Sequence, residues 1–251
     1  FAAAGYPFTS KVDGSATAVV LPEYPTTAQI GLFLDAMCFM STHTGVAAGN
    51  FEVLNAKNLA ETHDRNFLII GSSNDEAPFR PFERGMVVIP SNGRFELSER
   101  PLPLDEWLSR AWLGRKEEIQ ALPALMERES GAKFLIEQFV SPFRSDRSVI
   151  VLATRAEADE EPYFERLAEA SRAGFIKGGL AVSGGRDFSS FWLTFHSWVL
   201  GRDVSLARAY GWLSFHLWIL PLALAAMAMV LAHWWERLLE RQAQRRLQAI
   251  A

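Results

Sequence analysis

Apolar residues fall into short runs broken by turn residues over most of the chain, and into one long run near its end. The first run, TAVVL at 17–21, is stopped by Pro22 and predicts a strand. Tyr24-Pro25-Thr26-Thr27 then predicts a turn and a helix start, with Thr26 and Thr27 as capping residues. Ile30, Phe33, Leu34, Met37 and Cys38 follow at i, i+3, i+4, i+7 and i+8, which predicts one buried helix face, and Gly45 predicts its end. FEVLNA (51–56) and NFLIIGS (66–72) predict two further strands. The second is apolar throughout, as a strand covered on both faces should be. Between Ser73 and Pro103, prolines and polar residues leave only MVVI (86–89) as a strand. DEWLSRAWL (105–113) predicts a helix. KFLIEQFV (133–140) and SVIVLA (148–153) predict strands around the turn SPFRSD. EEPYFERLAEASRAG (160–174) predicts an amphipathic helix stopped by Gly174. GGLAVSGG and SSFWLTFHS predict a closing pair of strands joined by a Gly-Gly turn. Strands alternating with helices imply a layered α/β domain with a mostly parallel sheet and a closing antiparallel pair at one edge.

The long run changes the picture. From Gly211 to Trp235 no residue carries a formal charge with His neutral. As a helix it reaches roughly 37 Å, against about 30 Å for the hydrocarbon core of a bilayer. Trp212 and Trp218 stand at one end and Trp234 and Trp235 at the other, the pattern of an aromatic belt. Pro221 lies one turn inside and is expected to kink the helix. Ala225, Ala228 and Ala232 fall near one face at the small-residue spacing that lets helices approach closely in lipid. The competing reading is a buried helix of a water-soluble core, but such helices are usually shorter and seldom carry paired Trp at both ends. Just before the run, Val204, Leu206, Ala207 and Tyr210 recur at loosely helical spacing, with Arg202, Asp203 and Arg208 between them. This segment is either an amphipathic helix lying in the interface plane or the first turns of the spanning helix.

Charge orients the span. After it come Arg237, Arg241, Arg245 and Arg246, with Glu236 and Glu240 among them. The positive-inside rule puts this end in the cytoplasm and the body outside, which in a bacterium is the periplasm. The last segment, from Gly211, carries +2, and the whole chain −4, so residues 1–210 carry −6. An acidic body excludes nucleic acid as an expected partner, because phosphate binding needs clustered Lys and Arg. Cys38 is the single cysteine, so there is no internal disulfide. The opening FAAAGYPFTS has neither a charged n-region nor a long apolar h-region and reads as part of a longer protein rather than as a signal peptide.

The residues that carry chemistry elsewhere are scarce. The first strand-to-helix turn, PEYPTTAQ, has no glycine, and its prolines remove N–H groups that would cradle a phosphate. No G-x-G-x-x-G or P-loop occurs, so no bound flavin or dinucleotide is expected. Ala181-Val182-Ser183-Gly184-Gly185 is similar to a relaxed nucleophile elbow, but a strand rather than a helix is predicted after it, which makes it a hairpin turn. His43, His63, His196, His216 and His233 form no i,i+4 metal pair, and no metal is assigned. His63-Asp64 precedes a strand and is placed for a local pair. Glu117-Glu118 and Glu160-Glu161 are adjacent in sequence and read as solvated faces. There is no Asp-x-Asp of the kind nucleotide-sugar transfer uses. A non-enzyme without cofactors is expected.

Four segments, in order, resemble the B subunit of bacterial cellulose synthase: AGYPFTSKVDGSATAVVLPEYPT; THTGVAAGNFEV with DRNFLIIGS; SPFRSDRSVIVLAT; and GWLSFHLWILPL entering a single span with an arginine tail. The resemblance covers nearly the whole chain and is weakest over 73–103. It implies a flavodoxin-like periplasmic domain at 15–200, with 1–14 the tail of a preceding carbohydrate-binding module or a linker. It further implies an interfacial segment at 201–211, a transmembrane helix at 212–235 and a cytoplasmic basic tail at 236–251. It also implies a non-catalytic accessory subunit that braces the catalytic subunit for cellulose synthesis and export. The system is activated by cyclic di-GMP, and in this family resemblance the nucleotide site belongs to the catalytic subunit. Implied partners are that multi-span glycosyltransferase, membrane lipid, nascent glucan and further copies of the chain. The alternative from the residues alone is a membrane-tethered periplasmic sensor or solute-binding domain. A tethered hydrolase acting through Ser183 is the remaining alternative.

Overall fold

The computed structural model describes residues 1, 5, 7–59, 64–98, 132–144, 146–155, 162–172, 175–176, 178–184, 188–191 and 219–248. The predicted helix at 105–113, the segment 201–218, Gly174 and the end of the last predicted strand lie outside the described residues.

Seven strands form one sheet: β1 (Thr17–Leu21), β2 (Glu52–Asn55), β3 (Asn66–Ser72), β6 (Phe134–Val140), β7 (Ser148–Thr154), β8 (Leu180–Ser183) and β9 (Phe188–Phe191). β4 (Val88–Ser91) and β5 (Arg94–Leu97) form a separate hairpin. The order in the large sheet is β2-β1-β3-β7-β6-β8-β9. β2, β1, β3 and β7 pair in parallel. β6 is antiparallel to β7 and to β8, and β9 is antiparallel to β8. Most strands of the sheet thus run one way, but its antiparallel part is larger than the single closing pair expected, because β6 inserts between β7 and β8.

The central strands are buried on both faces, which is why they read as unbroken apolar runs. Alternate side chains sort into two cores. Ala18, Val20, Phe67, Ile69, Leu135, Phe139, Val149, Val151, Leu180 and Val182 point to one. Val19, Leu21, Leu68, Ile70, Phe134, Ile136, Ile150, Leu152 and Ala181 point to the other. The second core is roofed by α1 (Thr27–Thr44) and α2 (Tyr163–Arg172), with Tyr163 stacked on Phe134 at 4.4 Å between ring centres. Phe8 is buried in this same core, so residues ahead of β1 pack on the α/β body. The first core is covered by Phe79, Phe82, Met86 and Val88, from the short 3-10 turn Arg80–Phe82 and the hairpin.

Thr26 caps α1. Its hydroxyl accepts from Gln29 N–H, and the Gln29 side chain accepts from Thr26 N–H, a complete capping box. Gly45 ends the helix in the left-handed region at φ 70°, where a Cβ is unwelcome. The buried face is not the one expected, however. Leu32, Ala36, Met37, Phe39 and Met40 face the sheet, while Ile30, Leu34 and Cys38 are exposed. The helix is apolar nearly all round, so periodicity alone does not choose a face. Gln29 does: it is drawn inward by the cap and by the hydrogen bond its side-chain amide donates to Asp75, at 2.5 Å, and it turns Ala36 and Met40 under with it.

The strand expected at 86–89 starts two residues later and is half of a hairpin. Its turn is Asn92-Gly93, both at positive φ (50° and 73°), between paired Ser91 and Arg94. An Asn-Gly pair is the strongest short hairpin signal, and it was present in the sequence.

Thr26→Ala removes the cap and is expected to cost about 1 kcal/mol of stability. Gly71→Ala puts a Cβ 2.6 Å from Phe79 Cζ and is expected to cost about 1–3 kcal/mol by overpacking. Urea unfolding followed by tryptophan fluorescence measures both.

Candidate functional site: the C-terminal helix and the carboxyl edge of the sheet

α3 (Ile219–Gln248) is a single helix of 30 residues, about 45 Å long. Its segment Pro221–Glu240 has a mean hydropathy of 1.3 and is long and apolar enough to cross a membrane. None of that segment is buried against the other described residues. Leu222 is 60% exposed, Met229 68% and Trp235 63%. A core helix of a water-soluble protein would hide such side chains, and this one leaves them to its surroundings.

The described helix carries Pro221 in its first turn. The turn before it lies outside the described residues, where the kink expected at Pro221 would show. Ala225, Ala228 and Ala232 lie along one exposed line of α3 that runs on through Trp235 and Leu239. Trp234, Trp235 and Arg237 are exposed as well. The helix continues past Trp235 through the positions of Arg241, Arg245 and Arg246, so the basic tail is a continuation of the span's own helix. Trp212, Trp218 and the interfacial positions Val204, Leu206, Ala207 and Tyr210 lie outside the described residues.

In open α/β sheets ligands sit beyond the carboxyl ends of the strands, where the order reverses. Here that place is between β1 and β3. It is occupied by the chain's own polar groups. Asp75 accepts from Gln29 Nε2 and from Ser72 Oγ at 2.8 Å. The hairpin turn docks beside them, with Gly93 N–H donating to Ser73 C=O at 3.0 Å and Ser91 Oγ donating to Glu76 at 2.9 Å. Gln29 and Ser73 are fully buried in this knot. Pro22 and Pro25 of the first turn have no backbone N–H to offer, and that of Thr26 is taken by Gln29.

Ser183 ends β8 and is buried, and the chain returns as β9 antiparallel to it, with Ser183 opposite Phe188. A nucleophile elbow requires strand, turn and helix, so Ser183 is a hairpin residue. Among the described residues no group of three His, Cys, Asp or Glu is placed to hold a metal. His43 packs its ring on Phe39 and bonds that residue's carbonyl oxygen at 2.9 Å. Asp64 makes its ion pairs with Arg147 and Arg144, both at 2.9 Å, at the amino edge of the sheet; His63 lies outside the described residues.

Sequence reasoning missed Glu137. It stands on β6 among the first core's apolar side chains, 2% exposed, and accepts from Val87 N–H at 2.6 Å and Val88 N–H at 3.1 Å. Burial pushes its carboxyl up to about 8, and the two backbone donors pull the other way with less effect. A single acidic residue in the apolar strand KFLIEQFV was its signal in the sequence.

Among the described residues, an α/β body and one uncovered apolar helix define a class: a globular domain that carries a candidate membrane span. The family model described as "Cellulose synthase BcsB, second FD domain" matches residues 1–152, more than half of the chain, and the chain belongs to that family. "Cellulose synthase 1" of Komagataeibacter xylinus is 28% identical over 196 residues, covering 76% of this chain and 12% of the relative. "Cyclic di-GMP-binding protein" of the same organism is 25% identical over 195 residues, 76% of this chain and 24% of the relative. "Cellulose synthase 2" of Novacetimonas hansenii is 28% identical over 277 residues, covering 100% of this chain and 16% of the relative. The chain therefore spans a quarter or less of the length of these relatives.

Replacing Leu224 and Ala228 together with Arg puts two charges mid-span, each costing about 2.5–3.5 kcal/mol for insertion. The variant is expected to leave the alkali-resistant membrane fraction, in which the unaltered chain remains; fractionation and immunoblotting measure this.

Proposed function

We propose that this chain is the membrane-proximal part of a non-catalytic accessory subunit of bacterial cellulose synthase. The observation that carries the reading is the uncovered helix Pro221–Glu240 on a chain of this family. In this reading 15–200 is a periplasmic flavodoxin-like domain. The parallel strands alone, counted along the chain, run 2-1-3-4, the start of the flavodoxin-like order. Residues 1–14 join it to what precedes. Residues 201–211 lie in the membrane interface, 212–235 cross the bilayer, and 236–251 enter the cytoplasm with Arg237, Arg241, Arg245 and Arg246 on the side the positive-inside rule requires.

The helix acts by packing. Lipid gives no hydrophobic drive for one helix to meet another, so close van der Waals approach must do it. The line of Ala225, Ala228 and Ala232 offers that approach to the transmembrane bundle of the catalytic subunit, and Trp234 and Trp235 set its depth. The segment holding Trp212, Trp218 and Pro221 marks the periplasmic end. The interfacial positions Val204, Leu206, Ala207 and Tyr210 rest on the same bundle at the water boundary. Synthesis and export of glucan are the partner's chemistry; this subunit braces the machine, and nascent glucan and further copies of the chain are its other neighbours. Some relatives are named for cyclic di-GMP, and in this reading that nucleotide activates the assembled system. The sheet's carboxyl edge is filled by Gln29, Asp75 and the hairpin turn, which favours this role over a solute-binding one.

Deleting 202–251 is expected to abolish glucan synthesis from UDP-glucose in membranes that hold the catalytic subunit, while that subunit's amount stays unchanged. Undiminished synthesis rules the proposal out.

A further inference from the structure

Glu137 has no part in anchoring, and its surroundings are unusual for a carboxyl. Leu135 and Phe139 flank it on its own strand and face. Across the sheet its register partners are Val151 on β7 and Leu180 on β8. Above it lie Met86, Val87 and Val88, and the hairpin residues Phe95 and Leu97 pack on the same core. Among the described residues, none of these groups titrates or carries charge. The charged residues of the covering segment, 79–97, are Arg80, Glu83, Arg84, Arg94 and Glu96. Glu83 is half-buried, the other four are exposed, and none is a hydrogen-bond partner of Glu137. Among the described residues, the hydrogen-bond partners of Glu137 are the backbone N–H groups of Val87 and Val88.

Such a carboxyl is stable in two ways only. It keeps its proton while covered, or it is uncovered and ionises, because a buried charge without a cation is strongly disfavoured. The two sides of the contact differ in firmness. β6 is bonded along its length to β7 and β8. Among the described residues the hairpin's hydrogen bonds are to its own partner strand, to Glu137 and, from the turn, to Ser73 and Glu76, beside the apolar packing of Val88, Phe95 and Leu97 on the core. When the contact breaks, the hairpin is the part that lifts. It spans from Glu137 to the carboxyl end of β3, so lifting it frees Ser73 and Glu76 beside the crevice between β1 and β3, in which Gln29 and Asp75 stay bonded to each other.

We propose that Glu137 is a proton-operated latch that holds the β4–β5 hairpin closed over the sheet while neutral and releases it on ionisation. The direction follows from burial, which moves the carboxyl from its ordinary 4.5 to about 8 in the closed form. Between those values the closed form keeps a proton that the open form loses. Opening therefore becomes easier as pH rises through that window and levels off above it. A periplasmic domain is exposed to external pH, so acid conditions close the hairpin and alkaline conditions loosen it.

Hydrogen exchange of amides 88–97 in the full chain, held in detergent micelles at pH 6 and pH 8, tests this. After correction for intrinsic exchange, opening is expected to increase about tenfold or more between the two. Protection that does not change with pH overturns the proposal. Glu137→Gln is expected to remove the dependence and Glu96→Gln, on the exposed side of the same hairpin, to keep it. The reverse result for either variant assigns the proton to another group and overturns the latch. Should Glu137→Gln fold poorly, the unaltered chain and Glu96→Gln still decide.

Discussion

Apolar surface without cover is the constraint on which this structure turns. Among the described residues, nothing buries the twenty helical residues Pro221–Glu240. At about 25 cal/mol per Å² of exposed apolar area, keeping several large side chains such as Leu222, Met229 and Trp235 in water is costly. Lipid, or another helix within it, removes the cost. A helix also satisfies its own backbone, which a span must do. The rest of the chain is arranged so that this element can leave the body: the sheet, its two cores and their roofs close without it.

The body meets the opposite requirement. Its central strands are apolar on both sides, so each face must be covered. α1 and α2 cover one, and Tyr163 of α2 stacks on Phe134. The hairpin and the Phe79–Met86 segment cover the other, with Phe67, Phe82 and Phe143 meeting ring to ring. A hairpin is a less complete roof than a helix, since its outer backbone groups need partners of their own. Glu137 supplies acceptors for two of them at the cost of burying a carboxyl. The same hairpin closes the carboxyl edge of the sheet. An architecture that often binds ligands at this place uses it here for its own contacts.

Much of the fold was legible in the chain. β3 and β7 are unbroken apolar runs, and Thr26 with Gln29 and then Gly45 spell a helix with both ends marked. The candidate span was legible for the same reason: a run without charges from Gly211 to Trp235 depends only on composition and length. Less of the hairpin was read, although Asn92-Gly93 marked its turn. The prolines around it, Pro90 among them, weakened the strand pattern on which the reading relied.

What the residues alone determined were local properties: which segments extend or coil, where caps and turns fall, and which stretch is too apolar for water. Tertiary structure alone decided properties that need two distant segments to meet. The rotation of α1 is one, because Gln29 finds Asp75 only when β1 and β3 lie side by side. The place of β6 between β7 and β8 is another. The environment of Glu137 is the third: a lone acid in a strand looks solvated until Val87 and Val88, about fifty residues earlier, cover it and remove the water.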